Sequence, residues 1–439
     1  MITPVPRDIP LPLPANATFL EFLLIVAFIA HILFVNLLVG GTLLTLFFEA
    51  RALQAPERFE NFTKTARLLS STITVNKSLA VVLGVAPLLV VSVLYTMHFY
   101  TANALTGHAW ILLIPAIATT FLLLYAHGYT WERFANRPRL HLTLVGVSSL
   151  LLLVIPLVFL ANVTLMIQPD KWTSIHGFFS VFQLPNLLPR YAHFLSASLI
   201  LTSLFGVYQV AGAAEKAPEL GLDPSEVRRI FYRIAFRISV LQFGIGPVVL
   251  FTIPAKGMHS SVLGAILLGV LFAIPAVMMM NSEIGEKRVE GHRLFPIVAL
   301  LGFTVLAMAS GRQMVRGLAL RDHKAQMEAA TEQWEIDAAQ ATYEAKIAAA
   351  RAQSNVSPGD VAFKTNCSAC HGEKERVIGP PLTEIATIYG KDPAGVVTWA
   401  RAPGKKRDGY PQMPGFAVLG DAKLREIADY MVEKGRGAK

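Results

Sequence analysis

The 439-residue chain has only two cysteines, Cys367 and Cys370, and they sit in the run Cys367-Ser-Ala-Cys370-His371. In a C-x-x-C-H run the two thiols can add across the vinyl groups of a haem while the adjacent imidazole ligates the iron from one face. A structural zinc site would need two further ligands close by, and no second Cys or His pair follows. The other chemistry-bearing residues are histidines. His31, His98, His127, His193 and His259 lie within or at the ends of long apolar stretches. An imidazole in that setting is costly when charged, so it is either satisfied by a neighbour's hydroxyl or carbonyl or committed to a metal. His141, His176, His292 and His323 fall at the edges of these stretches or in loops, where solvation is the default expectation.

The elements around the cysteine motif read as a small helical domain. Gly359-Asp-Val-Ala-Phe-Lys-Thr-Asn leads into it, and Leu424, Ile427, Ala428 and Met431 recur at helical spacing in a closing helix from Asp421 to Lys434. With Gly379-Pro-Pro-Leu382 and Tyr410-Pro-Gln-Met413-Pro-Gly-Phe416, the segment 357–439 resembles the class I cytochromes c. That resemblance implies a covalent haem c on Cys367 and Cys370, His371 as proximal ligand, the Gly379 loop behind it and Met413 as distal ligand. A His and Met pair raises the potential relative to bis-His and suits an acceptor of quinol-level electrons.

Upstream, the composition changes. The chain is 53% hydrophobic and 16% charged, with a positive mean hydropathy, too apolar for a soluble protein of this length. A span needs about 20 largely apolar residues. Eight segments qualify, at 18–48, 76–100, 109–131, 141–166, 191–214, 230–254, 260–280 and 293–311. All are expected to be helices, because open backbone cannot be satisfied in lipid. From Arg316 to Gln353 the chain is dense in Ala, Glu, Gln and Lys and reads as one long helical linker, either a solvated spacer or a stalk. The expected architecture is all-α: a polytopic membrane domain over 1–315, a helical linker over 316–356 and a small all-α haem domain over 357–439.

Loop charge sets the orientation. Fifteen Lys and Arg residues fall in the first, third, fifth and seventh connections, against Arg7, Lys171, Arg190 and Lys256 on the other side. The positive-inside rule therefore puts both termini outside the cytoplasm, the side on which haem c is attached, and implies a bacterial inner-membrane protein. The formal charge of +9 is explained by these loops rather than by a nucleic-acid partner. The Pro-rich start, Met1 to Asn16, shows no basic n-region or cleavage site, so the first span is expected to be retained. Glu21, Glu49, Lys77 and Glu132 sit near span ends, where long side chains reach the interface, and no carboxylate is placed mid-span.

Four motifs recur in order along the membrane part: His31-Ile-Leu-Phe-Val-Asn-Leu-Leu-Val-Gly40, Tyr129-Thr-Trp-Glu-Arg133, Arg190-Tyr-Ala-His193 and Gly311-Arg-Gln313. Over about the first 320 residues the chain resembles the larger subunit of the cytochrome bd-type quinol oxidases. The resemblance implies that His31 and His193 ligate haem, with His193 holding a low-spin b haem near the outer face. Its partner would come from Met258 or His259, and His98 and His108 are further candidates on that side. The chain departs from the family in three respects. Leu112 and Thr120 stand near positions of acidic residues in span three, Ala309-Ser310 replaces the Glu before Gly311, and the quinol-binding loop between spans six and seven is reduced to 253–261. The expectation is therefore an electron conduit with one or two b haems, a quinone site left open, separate soluble or membrane-bound redox partners and a second subunit or second copy. A terminal oxidase and a haem-free anchor are the rivals.

Overall fold

The structure is a computed structural model that describes residues 13–353 and 357–438, apart from the side chains at 73–81 and 350–353. Arg7, the Lys77 side chain and Lys439, which entered the charge and topology argument, lie outside the described residues. The described residues form helices joined by turns, short 3₁₀ segments and longer extended connections, and contain no β-strand. Two compact units result, one over 11–325 and the other built mainly from 326–439.

The larger unit begins with α1 (Ala17–Gln54), capped by the Asn16 side chain, and α2 (Phe59–Leu94). After it come α3 (Thr96–Thr106), α4 (His108–Ile111), α5 (Leu113–Tyr129) and α6 (Pro138–Met166). The unit continues with α7 (Leu187–Lys216), α8 (Pro224–Phe251), α9 (Ser260–Gly285) and the first half of α10 (Leu294–Gln353). Seven helices are long and apolar enough to cross a membrane, or eight if the bent pair α2 and α3 counts as one span. The protein is a polytopic membrane protein.

The expected second span, 76–100, is not a single rod. It stops at Leu94 and turns by 111° into α3. Tyr95 makes the corner: its backbone leaves the helical region (φ −132°, ψ 40°). The side chain is buried, and its hydroxyl accepts from Gln313 Nε2 at 2.9 Å while Arg316 lies 5.2 Å from the ring centre. A tertiary anchor on α10 thus overrides an apolar run that would otherwise propagate as helix.

Small residues let the helices close. Asn36 Oδ1 accepts from Ser198 Oγ at 2.9 Å, and Gly40 lies so tightly against Ser198 and Thr202 that a Cβ there would meet the Thr202 hydroxyl at 2.5 Å. This α1 to α7 crossing is the polar and small-residue packing that joins helices in lipid. The second half of the His31 to Gly40 motif therefore serves packing.

The expected linker is continuous with the eighth span in the 60-residue α10. It is not a solvated spacer throughout, because Ala319 and Leu320 are buried in the membrane unit's core. In the smaller unit Tyr343 and Ile347 pack with Phe363, Leu382, Ile427 and Met431.

The smaller unit adds α11 (Pro358–Asn366), α12 (Leu382–Tyr389), α13 (Ala394–Arg401) and α14 (Gly420–Gly437). Ser357 caps α11, with Pro358 in its first turn, a helix start that leaves no orphan donor at that proline. α14 packs on both α11 and α12. At the α11 crossing a Cβ on Gly359 would come within 2.7 Å of Tyr430 Cβ.

Candidate functional site

The cysteine motif is the turn that leaves α11. Cys367 N donates to Phe363 O at 2.8 Å, and His371 N donates to Cys367 O at 3.0 Å, so the helix end places Cys367, Cys370 and His371 on one tight loop. The following strap closes over it, with Gly379 N donating to Cys370 O at 2.8 Å and Leu382 N to Gly372 O at 2.9 Å. His371 donates through Nδ1 to the Pro380 carbonyl at 2.7 Å. That bond fixes the tautomer and leaves Nε2 as the lone-pair nitrogen, the arrangement a metal-ligating histidine needs. Gly379 lies flat against the ring, and a Cβ there would sit 2.9 Å from Nδ1.

Met413 lies half-buried in the extended segment between α13 and α14. Both flanks of that segment are tied down. Phe416 N donates to Ala400 O at 2.8 Å, and Arg376, from the cysteine-motif strap, donates to the Gly409 carbonyl and lies 4.0 Å over the Tyr410 ring. Burial, together with the nearby Cys370, pushes the Cys367 thiol up to about 11. A redox-active C-x-x-C carries a depressed thiol instead. The turn, the oriented imidazole and the glycine that backs it fit a covalently held haem c. Bound there, that haem supplies one-electron storage and transfer, while the protein sets its ligands and surroundings.

The histidines of the membrane unit separate into distinct environments. His193, near the start of α7, has a buried Nδ1 with no hydrogen-bond partner among the described residues. Gln242 of α8 donates to the His193 carbonyl at 3.3 Å and leaves its own Oε1 buried and unmatched. His31, in α1, packs its ring on α2, where a Cβ on Gly84 would lie 2.8 Å from Cε1. His98 is buried and its Nε2 is 3.0 Å from Nδ1 of His323, with Trp172 edge-on to both rings. His323 is thus paired rather than simply solvated. His259 caps α9, its Nδ1 accepting from Ser261 N at 3.2 Å. His108, His176 and His292 are exposed.

His141 and Glu49 depart from the interface roles expected of them. Both are buried, and Glu49 bridges His127 Nε2 at 2.6 Å and His141 Nδ1 at 3.1 Å. The charge pattern that marks span ends carries no information about which ends meet, so this cluster was not legible in the sequence.

Three arginines gather near the start of α7. Arg190 donates to Thr164 Oγ1 at 3.0 Å, Arg312 lies 3.9 Å over the Phe28 ring and Arg316 donates to Gln313 Oε1 at 2.9 Å. Arg190 feels the charge of Arg316, and Arg312 feels the charges of both others. None has a carboxylate at ion-pair distance among the described residues. Arg316 also feels the Glu21 carboxylate, so one anion faces three cations. The remaining positive charge in an apolar unit is costly, and it suits a ligand that brings carboxylates. An unmatched buried imidazole three residues after Arg190, on the same helix face, fits the iron and propionate demands of a second, non-covalent haem.

Comparison with known proteins bears on the C-terminal part. Residues 354–431 match the family described as cytochrome C oxidase, cbb3-type, subunit III. The chain is 34% identical over 76 residues to cytochrome c-552 of Nitrosomonas europaea, covering 17% of this chain and 74% of that protein. It is 27% identical over 81 residues to cytochrome c6 of Cyanidium caldarium, covering 18% of this chain and 72% of that protein.

Proposed function

Through its C-terminal domain this chain belongs to the cytochrome c family, and from that premise we propose that it is a membrane electron conduit linking a quinol-level donor to a periplasmic haem c. In this reading Cys367 and Cys370 hold the haem through thioethers, and His371 and Met413 supply its axial ligands. His193 and His31 ligate one or two b-type haems within the membrane unit, with Arg190, Arg312 and Arg316 neutralising propionates. The observation that carries the membrane half is the unmatched, buried Nδ1 of His193 beside three arginines that have no carboxylate at ion-pair distance among the described residues. The resemblance to the larger subunit of the bd-type quinol oxidases supports the same assignment.

The loop-charge bias supports a place in the bacterial inner membrane with the C-terminal domain outside the cytoplasm. The partners would be a quinol or quinol-oxidising protein, a downstream redox protein, and a second subunit or second copy of the chain. His98 and His259 are bonded to polar neighbours, and this favours a second reading in which the membrane unit holds no haem and only anchors the cytochrome.

A pyridine haemochrome assay on the purified full-length protein separates the two. The conduit requires b-type and c-type haem together, and c-type haem alone would leave the anchor. Oxygen consumption with a reduced donor then tests the remaining oxidase reading.

A further inference from the structure

We propose that Glu49, His127 and His141 form a binding site for one divalent transition cation, of the zinc type, inside the membrane unit. The proposal is independent of the haem assignments. The three residues stand near the C-terminal end of α1, the C-terminal end of α5 and the start of α6. The short connection between α5 and α6 folds His127 and His141 into stacked rings 4.2 Å apart, and Glu49 reaches both. Their donor atoms all lie within 4.8 Å of one another and all three residues are buried. Donors on a tetrahedral cation at about 2.0–2.1 Å stand roughly 3.3 Å apart. The separations of 2.6 and 3.1 Å to Glu49 therefore need only a small widening to admit an ion.

Proton placement argues for a cation at this point. His141 donates through Nε2 to the His127 carbonyl at 3.1 Å. Its Nδ1 in the neutral ring is then a lone pair, and it faces Glu49 Oε2. A lone pair against a carboxylate is repulsive unless a positive species sits between them. His127 is bonded through Nδ1 to Ser70 Oγ at 3.1 Å, and in the tautomer that donates to Ser70 its Nε2 lone pair faces the same centre. Both imidazoles thus have their second nitrogen held by an oxygen, as metal-ligating histidines do. Two neutral imidazoles and one carboxylate are the donor set of zinc sites that keep a position open.

Two further features fit. Thr45 lies one turn before Glu49 on α1, is buried and has a hydroxyl with no hydrogen-bond partner among the described residues. Trp131 covers the two rings, 5.1 Å from His127 and 4.4 Å from His141, and shields the site from water.

The test uses the full-length haem-loaded protein in detergent, stripped with a chelator, incubated with zinc and dialysed. One equivalent of zinc should be retained, and Glu49→Gln and His141→Gln should each weaken retention roughly tenfold or more. Their haem c absorbance and elution profile report that they are folded. Copper(II) loading of the unmutated protein adds a readout that needs no variant to fold, since two imidazole ligands should give a two-nitrogen hyperfine pattern in its EPR spectrum. The proposal is overturned if the unmutated protein retains no zinc and gives no two-nitrogen copper signal, in which case a proton alone occupies the cluster. It is overturned equally if folded Glu49→Gln and His141→Gln protein retains zinc as the unmutated protein does.

Discussion

Gly379 and His371 are in face-to-face contact: the glycine backbone backs the imidazole so closely that a methyl group at residue 379 would overlap the ring. Together with the bond from Nδ1 to Pro380 O at 2.7 Å, this fixes both the plane and the tautomer of the imidazole.

Gly379→Ala should therefore disturb the proximal side without touching a ligand. Overpacking of this kind costs about 1–3 kcal/mol. The expected result is a lowered melting temperature of the c-type domain, with covalent haem still detectable by in-gel staining. An unchanged melting curve would mean that the strap moves away freely.

Replacing both Cys367 and Cys370 by Ala should abolish covalent haem staining. Met413→Ala should leave staining intact, lower the midpoint potential and remove the sulfur-to-iron charge-transfer band. A Met413→Ala protein with an unaltered spectrum and potential would assign the distal position to another residue.

His193→Ala should remove a dithionite-reduced b-type band while leaving the c-type band in place, and the variant should lose reduction of its own haem c by a quinol analogue. Arg190→Gln should keep the b-type band but lower its potential, because removal of a nearby cation favours the oxidised, more positive iron. If both variants keep the b-type absorbance and potential of the unmutated protein, His193 is not a ligand.

Asp360 gives the soluble domain a dependence on acidity. Burial opposes its ionisation, but the Lys364 ammonium at 2.8 Å and the Tyr430 hydroxyl outweigh that effect and hold the carboxyl below its usual range. A depressed carboxyl stabilises the fold fully above the ordinary aspartate value and loses that contribution as pH falls from there through the folded-state value. Lys364 is largely exposed, so the effect should be about 1 kcal/mol or less. Asp360→Asn should lower stability at neutral pH and flatten the acid limb of a denaturation series. Parallel acid limbs in the two proteins would show that other carboxyls control it.

The residues that carry covalent chemistry were readable because they are adjacent in the chain. Cys367, Cys370 and His371 need only the end of α11 to face one another, and the apolar runs announce membrane helices because burial in lipid depends on composition. Linear patterns of this sort encode what each segment is solvated by. They do not encode which segments meet. His98 and His323 are 225 positions apart and bond only because Tyr95 turns the chain by 111° towards α10. Glu49, His127 and His141 each look like an ordinary span-end residue, and they become one buried cluster only when α1, α5 and α6 end side by side. Tertiary packing decided these encounters, because in an apolar medium a buried polar group is held in place by whichever partner the helix crossings bring within hydrogen-bonding distance.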